Sequence, residues 1–196
     1  MIRPRSSAAV LVVLALSAGP AAATTNCVID PAASSVRFTA WQLFGLPVLG
    51  EFTAFGGNLS LDEARPERSS AEIVVDTTSV DTQNPDTDDF IRSESMLDST
   101  RYPTAVLKTS AFDPSSAADM LVRGELALKS KRRPVAIPFS YRLSANSGPG
   151  DRRVIADGSF EFSRLNFDVG TGLWTSTFLF HEPIRVTVHL EVDCPR

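Results

Sequence analysis

The stretch that decides the fold is IRVTVHLEVD, residues 184–193. Its apolar side chains occupy every second position, and all the positions between them are polar. Successive side chains of a β-strand point to opposite faces, so this alternation predicts a strand with one apolar and one polar face. The apolar face is formed by Ile184, Val186, Val188, Leu190 and Val192.

Other segments of strand length extend this pattern along the chain. Residues 135–143 and 154–162 alternate in the same way and predict a hairpin. Less regular strands are predicted at residues 36–40, 52–61, 71–75, 104–112 and 120–128. Together these segments predict an all-β fold of about eight antiparallel strands in meander order. Such a sheet can close into a barrel, and a two-sheet sandwich is the alternative.

One helix is expected to interrupt the strands. Asn84 provides an N-cap and Pro85 occupies the first helical position, followed by aspartates that favour a helix N-terminus. Phe90 and Ile91 give the segment an apolar edge. The pattern predicts a helix over residues 85–97 that covers one end of the barrel.

The N-terminal segment has the layout of a secretory signal peptide. Arg3 and Arg5 precede an apolar run at residues 8–18, and small residues follow up to position 23. The run is too short to span a bilayer as a helix. We expect cleavage after residues 1–23, leaving one exported domain at residues 24–196 in the periplasm or outside the cell, with no transmembrane segment.

The two cysteines lie at opposite ends of the predicted domain. An oxidising compartment favours a disulfide between Cys27 and Cys194. In a barrel the first and last strands are neighbours, so this pair also favours closure over a sandwich.

The composition argues against several kinds of function. The whole chain has a net charge of −4, whereas a nucleic-acid partner would require a basic face. His181 and His189 lack a second histidine at metal-ligand spacing, and no nucleophile or phosphate-binding motif is found. We therefore predict no metal site, no catalytic residues and no enzymatic activity.

The strand pattern stops at Arg164, which precedes an aromatic and glycine-rich segment. We expect this segment to leave the barrel and to fold Phe167 and Trp174 over one end. Arg164 then has two possible roles: an ion pair with Asp88 or Asp89, or donation to a ligand.

Several motifs in a particular order carry a resemblance to a known family. They are residues 30–38, Gly50-Glu51-Phe52, residues 75–82, Asp88 with Ile91-Arg92-Ser93, Tyr102-Pro103, Gly124-Glu125-Leu126, and Arg164 with residues 167–170 and Trp174. In their order and spacing the chain resembles the YceI-like proteins, also called polyisoprenoid-binding lipid carriers.

The resemblance implies an extended lipocalin-like barrel whose apolar lumen holds a long isoprenoid chain, such as a quinone or polyprenyl lipid, without a catalytic cofactor. Large apolar residues on the predicted strands and helix fit such a lumen. The predicted ligand-binding residues are Phe38, Phe44, Phe52, Phe90, Ile91, Met96, Phe139, Phe160, Arg164, Phe167 and Trp174.

The sequence leaves other functions open. A hydrolase or isomerase acting inside the same cavity would require a polar cluster in the lumen with perturbed pKa values. A barrel filled by its own side chains would serve as a protein-interaction module. A homodimer also stays open, as do the chain length and head group of the lipid.

Overall fold

The structure, a computed structural model, describes residues 24–62, 64–144 and 151–195. The predicted signal peptide, residues 1–23, lies outside the described residues and stays a prediction. Within the described part of the chain, no helix is long and apolar enough to cross a membrane.

Strands make up most of the described chain, and one α-helix lies between the sixth and seventh of them. The elements are β1 Thr25–Ile29, β2 Ser35–Gln42, β3 Leu46–Phe52, β4 Phe55–Leu61, β5 Ser70–Asp76, β6 Val80–Asp81, α1 Pro85–Arg92, β7 Thr104–Pro114, β8 Asp119–Leu128, β9 Lys131–Leu143, β10 Asp151–Ser163 and β11 Pro183–Pro195. Their hydrogen-bonded order is β1-β4-β5-β7-β8-β9-β10-β11, and β11 pairs back to β1. The predicted closed barrel is confirmed, and a sandwich is excluded.

The first strands of the barrel are each interrupted by a bend. β11 pairs with β1 at Ile29 and with β2 at Ser35, so β1 and β2 are two parts of one long strand. In the same way β3 pairs with β2, and β4 pairs with β1. The predicted continuous strand at 52–61 is therefore wrong at Thr53 and Ala54, whose amides bond to Ser79 instead of continuing the ladder.

The half of the barrel that contains the start of β1 and the end of β11 is filled with side chains. Cys27 and Cys194 form the predicted disulfide there. Apolar residues of β1 and β11, namely Ile29, Leu190 and Val192, belong to the same buried cluster. A second group, from β7, β8 and β9, closes the lumen towards the middle of the barrel, and its buried members are Phe112, Val122, Ile137 and Phe139. We call this region the filled half.

An ion-pair cluster holds the outside of the filled half. The Arg153 guanidinium lies 2.7 Å from Asp193, 2.9 Å from Glu191 and 3.0 Å from Asp30. Its hydrogen bond to Asp193 is the main reason why the pKa of that carboxyl lies below its ordinary value. The cluster joins β1, β10 and β11 beside the disulfide.

Helix α1 is shorter than predicted. Asn84 caps its N-terminus by accepting from the Thr87 amide at 3.1 Å, as expected. The helix ends at Arg92 because Ser93 leaves helical conformation, and its amide and hydroxyl both donate to the Phe90 carbonyl. The prediction that the helix continues to residue 97 is therefore wrong.

Candidate functional site: an apolar cavity in the barrel

The other half of the barrel encloses a cavity of about 1400 Å³. We call this region the hollow half. Its walls are inward-facing residues from β2, β5, β7, β8, β10 and β11, including Val36, Phe38, Ile73, Val75, Ala105, Leu107, Leu126, Phe160, Phe162, Val186 and Val188. The deep part is therefore lined almost entirely by aliphatic and aromatic groups.

The placement of Phe38 helps to keep this space open. Phe38 lies directly opposite Gly50 in the β2–β3 pairing. Its ring occupies the position that a side chain at residue 50 would need, since a Cβ atom there would lie 2.5 Å from Phe38 Cζ. Because Gly50 has no side chain, the ring lies against the β3 backbone and leaves the lumen beside it free.

Aromatic side chains cover part of the open end of the hollow half. The Phe90 ring of α1 contacts Trp174 edge-on, with ring centroids 4.7 Å apart. Trp174 in turn contacts Phe180 at 5.5 Å. Beneath them, Met96 and Phe167 belong to a buried cluster. Helix α1 and the β10–β11 connection thus form an aromatic cover, as expected for Trp174 and the helix.

Arg164 holds the β10–β11 connection in place from the inside. Its side chain is almost fully buried. Nε donates to the His181 carbonyl at 3.0 Å, Nη1 to that of Val169 at 3.0 Å, and Nη2 to those of Phe180 at 2.9 Å and Ser176 at 3.3 Å. Burial lowers the pKa of the guanidinium below its ordinary value. The carbonyls of the connection therefore converge on one buried cation.

The alternative of an ion pair between Arg164 and the helix aspartates is wrong. Asp88 accepts from the Thr82 amide at 2.8 Å and from its hydroxyl at 2.6 Å. Asp89 pairs with Arg92 at 2.8 Å. Both carboxylates therefore bond to residues of their own segment, which are nearer to them in sequence than Arg164 is.

The mouth of the cavity is polar. Asp81, Thr82, Gln83, Asn84, Asp86 and Thr87 line it on the side of α1. Next to Asp81 in the β3–β6 pairing lies Glu51, whose Oε2 is 3.5 Å from Arg37 Nε. Arg37 and Arg164 are the only arginines or lysines among the described cavity-lining residues, and each of them has partners within the protein.

Comparison with known proteins identifies the family. Residues 28–192 match the family model of the YceI-like domain. The chain belongs to the YceI-like family. It is 30% identical over 162 residues to a UPF0312 protein of Shewanella baltica and 29% identical over 160 residues to one of Vibrio parahaemolyticus. Each match covers 81% of this chain and 84% of the relative.

Solved structures share the YceI-like fold. Burkholderia cenocepacia BcnA is 26% identical and superposes with a TM-score of 0.75, covering 83% of this chain and 98% of BcnA. A polyisoprenoid binding domain from Saccharophagus degradans, implicated in plant cell wall breakdown, is 17% identical with a TM-score of 0.66. That match covers 86% of this chain and 98% of the other. At that identity it shows the fold alone.

Most of the predicted ligand-binding residues face the cavity of this YceI-like barrel. Those that line it are Phe38, Phe52, Phe90, Ile91, Met96, Phe160, Arg164 and Trp174. Phe44 lies on the exposed tip of the β2–β3 hairpin, Phe139 packs in the filled half, and Phe167 is buried beneath the cover. Ligand contact by any of these residues stays a prediction.

Sequence reasoning missed the aliphatic part of the lining. Leu107, Leu126 and Val186 lie on strands that the alternation did predict, and their positions on the inward-facing side of those strands were the signal that could have identified them. The prediction named mainly aromatic residues and left these aliphatic ones out. Phe180 carried no such signal, because it lies in the β10–β11 connection, outside the predicted strands, where it packs against Phe90 and Trp174.

Neither histidine belongs to a catalytic arrangement that faces the deep cavity. His181 lies at the mouth. His189 Nδ1 lies 2.6 Å from Asp157 Oδ1 on the polar face of β11, which is outside the barrel. No group of three side chains able to hold a metal ion is found among the described residues.

Proposed function

We propose that the protein is an exported carrier or binding protein for an isoprenoid lipid, and that the lipid tail lies in the cavity. The observation that carries this proposal is the cavity of about 1400 Å³ with its apolar deep walls. This volume exceeds the roughly 300–1,000 Å³ of common small-molecule sites. Membership of the YceI-like family, and the shared fold with a polyisoprenoid binding domain, support the same ligand class.

A prenyl tail matches these walls because both lack hydrogen-bonding groups. Binding would arise from removing apolar surface of the tail and of residues such as Leu107, Leu126 and Phe160 from water. A cavity of this size also argues against the alternative of a protein-interaction module, because that alternative assumed a barrel filled by its own side chains.

The mouth favours a lipid whose head group is uncharged. Asp81 and Asp86 place carboxylates at the mouth. Arg37 lies between the inward-facing Val36 and Phe38, so its side chain projects from the outer face of β2, where it pairs with Glu51, and Arg164 donates to backbone carbonyls. A phosphate would meet negative charge there without an uncommitted cation among the described lining residues, whereas a quinone or prenol needs only neutral hydrogen bonds.

A binding series with prenols of increasing length tests the tail site. Affinity should rise at least about tenfold for each added isoprene unit until the cavity is full, because each buried CH₂ contributes roughly 0.8 kcal/mol. Affinity should change little with salt, and the matching prenyl phosphate should bind more weakly than the prenol. A flat response to tail length contradicts the proposal.

Phe160→Trp should shorten the longest tail that is accepted. Phe160 lies where the cavity meets the filled half, packed against the cluster around Ile137 and Phe139, so a larger ring takes up space at the inner end. Tyr141→Trp is the matched control, since it enlarges an aromatic side chain that is outside the cavity lining and pairs with Ala156, further along β10 from Phe160, and it should leave the length limit unchanged. An equal effect of both variants would contradict tail binding at this end.

The cavity supports binding better than catalysis. The buried guanidinium of Arg164, whose pKa is lowered by burial, is already occupied by four backbone carbonyls. Lipid recovered by organic extraction after incubation should therefore be chemically unchanged, which mass spectrometry measures. A product that forms with time would support the hydrolase or isomerase instead.

A further inference from the structure

Exposed apolar side chains border the mouth of the cavity. Phe44 is 86% exposed and Leu46 56% exposed at the tip of the β2–β3 hairpin. Leu173 is 83% exposed and Phe178 72% exposed in the β10–β11 connection. We call these four residues the mouth rim. Large apolar groups exposed to this extent at one place are characteristic of an interaction surface.

The two parts of the mouth rim are joined to each other and to the cavity. The His181 amide donates to the Trp41 carbonyl at 2.8 Å, and Gln42 forms a bridge with Phe180, which connects the hairpin to the β10–β11 connection. Leu43 and Leu179, each next in sequence to a rim residue, line the cavity. The apolar surface therefore continues from inside the cavity onto the rim.

The backbone of Phe44 gives a second, independent observation. Phe44 has φ 63° and ψ 18°, and Gly45 follows with φ 72°. The left-handed region is uncommon for residues other than glycine, asparagine and aspartate, and unfavourable for a bulky one. Phe44 thus combines an unfavourable backbone conformation with an almost fully exposed apolar side chain. A glycine at this position would have neither. Such an outlier points to a functional use of the side chain.

Trp41 and Arg185 add the chemistry of a water–lipid boundary beside the hairpin tip. Ala40 and Gln42 line the cavity, so Trp41 projects from the other face of β2. The Arg185 guanidinium lies over its ring at 5.3 Å from the centroid. Tryptophan and arginine with an apolar body and a polar end are favoured where hydrocarbon meets water.

We propose that the mouth rim docks on the surface of a lipid bilayer, with Phe44 and its rim partners inserted among the acyl chains, so that a tail passes from the membrane into the cavity without crossing water. This proposal rests on the proposed function, because an isoprenoid ligand resides in a membrane. The acidic mouth around Asp81 and Asp86 favours a bilayer without net charge over an anionic one.

Vesicle co-sedimentation tests the docking. The protein is taken from the periplasmic fraction, and its N-terminus is checked by mass, because an uncleaved apolar leader would itself bind lipid. The probe is a phosphatidylcholine vesicle without isoprenoid, compared with one that contains phosphatidylglycerol. The wild-type protein should bind the phosphatidylcholine vesicle and should gain nothing from phosphatidylglycerol.

The variant pair Phe44→Gly and Phe178→Ser should lower vesicle partitioning at least about tenfold, because two large apolar groups no longer insert. Its melting temperature should stay the same or rise, since glycine suits the left-handed backbone at position 44. Leu143→Ser is the matched control: Leu143 is 61% exposed but lies at the end of the barrel that holds the disulfide. This control should bind vesicles as the wild type does.

The outcomes separate docking from ligand binding. Wild-type protein that ignores vesicles, or rim variants that bind them normally, would overturn the docking proposal even if a prenol binds in free solution. Vesicle binding that depends on the rim, with no affinity for prenols, would retain docking and overturn the proposed function. Self-association that the rim variants abolish, without vesicle binding, would show that a second copy covers the rim.

Discussion

The two halves of the barrel share the alternating strand pattern, but one half is a packed core and the other encloses a cavity. In the filled half, Phe139 packs with Phe112, Val122 and Ile137, and side chains occupy the lumen. In the hollow half, inward positions of the same strands hold residues such as Ala105 and leave a cavity. Alternation in the sequence is therefore compatible with both a core and a binding site. The difference depends on how much side-chain volume the strands place at each level along the barrel.

Two phenylalanines show how this difference arises. Phe139 lies opposite Gly158, and Phe38 lies opposite Gly50, so each ring covers a glycine on the neighbouring strand. Phe139 has large buried neighbours from adjacent strands that complete its layer. Phe38 instead contacts Phe52, at a centroid distance of 5.6 Å, along one wall. The same local pairing fills the lumen in one place and lines it in the other.

The largest expected effect concerns the disulfide of the filled half. Replacing both cysteines by Cys27→Ser and Cys194→Ser should lower the free energy of unfolding by about 4 to 5 kcal/mol, because the bond closes a separation of 167 residues in the unfolded chain. Urea denaturation measures the loss. Reduced wild-type protein is the control and should match the variant, and a loss below about 1 kcal/mol would contradict the assigned role.

Packing in the two halves should respond differently to truncation. Ile137→Ala in the filled half should lower the free energy of unfolding by about 3 to 4 kcal/mol, because it creates a new void. Leu126→Ala should lower it by only about 1 to 2 kcal/mol, because this side chain already borders the cavity. Equal losses in urea denaturation would mean that the hollow half is packed as tightly as the filled half.

Arg164 tests how the hollow half is covered. Arg164→Met should lower the free energy of unfolding by about 3 kcal/mol, because carbonyls that now accept from a buried cation lose their partner. Arg132→Met, which removes an exposed ion pair with Glu125, should change it by less than about 1 kcal/mol. Equal changes in the free energy of unfolding for both variants would mean that water replaces the guanidinium as the hydrogen-bond donor to these carbonyls.

Gly170 gives a second way to disturb the same contacts. Its φ of 84° is unfavourable for other residues, and a Cβ atom there would meet the Arg164 guanidinium. Gly170→Ala should therefore also destabilise the cover and should weaken prenol binding. Retained stability together with retained binding would show that the cover does not depend on this contact.

The smallest expected effect is the pH dependence of the Arg153 cluster. Its hydrogen bond keeps the pKa of Asp193 below the ordinary 3.8, so the carboxylate contributes stability above pH 3.8 and loses it as the pH falls through the lowered value. The stability difference between wild type and Arg153→Gln should be constant near neutral pH and should shrink below about pH 3.8. Urea titrations at several pH values measure it, and a difference that persists in acid would contradict the ion-pair origin.

Local chemistry in the sequence was sufficient for much of the fold. The alternation at residues 184–193 predicted both faces of β11, Asn84 predicted the start of α1, and the cysteine pair predicted the disulfide. Each of these features depends on neighbouring residues or on a pairing that had no competitor. That pair favoured barrel closure over a sandwich, the family resemblance implied it, and the structure confirms it.

Other features depend on residues that are distant in sequence. Alternation says which face of a strand a residue occupies, but not how much volume the opposing strands bring to the same layer, so Phe38 and Phe139 carried the same signal. The partners of Arg164 are carbonyls, which every residue has, and no side-chain pattern marks them. The cavity and its cover exist because chain packing brings these groups together, and that packing depends on the side chains of all the strands at once.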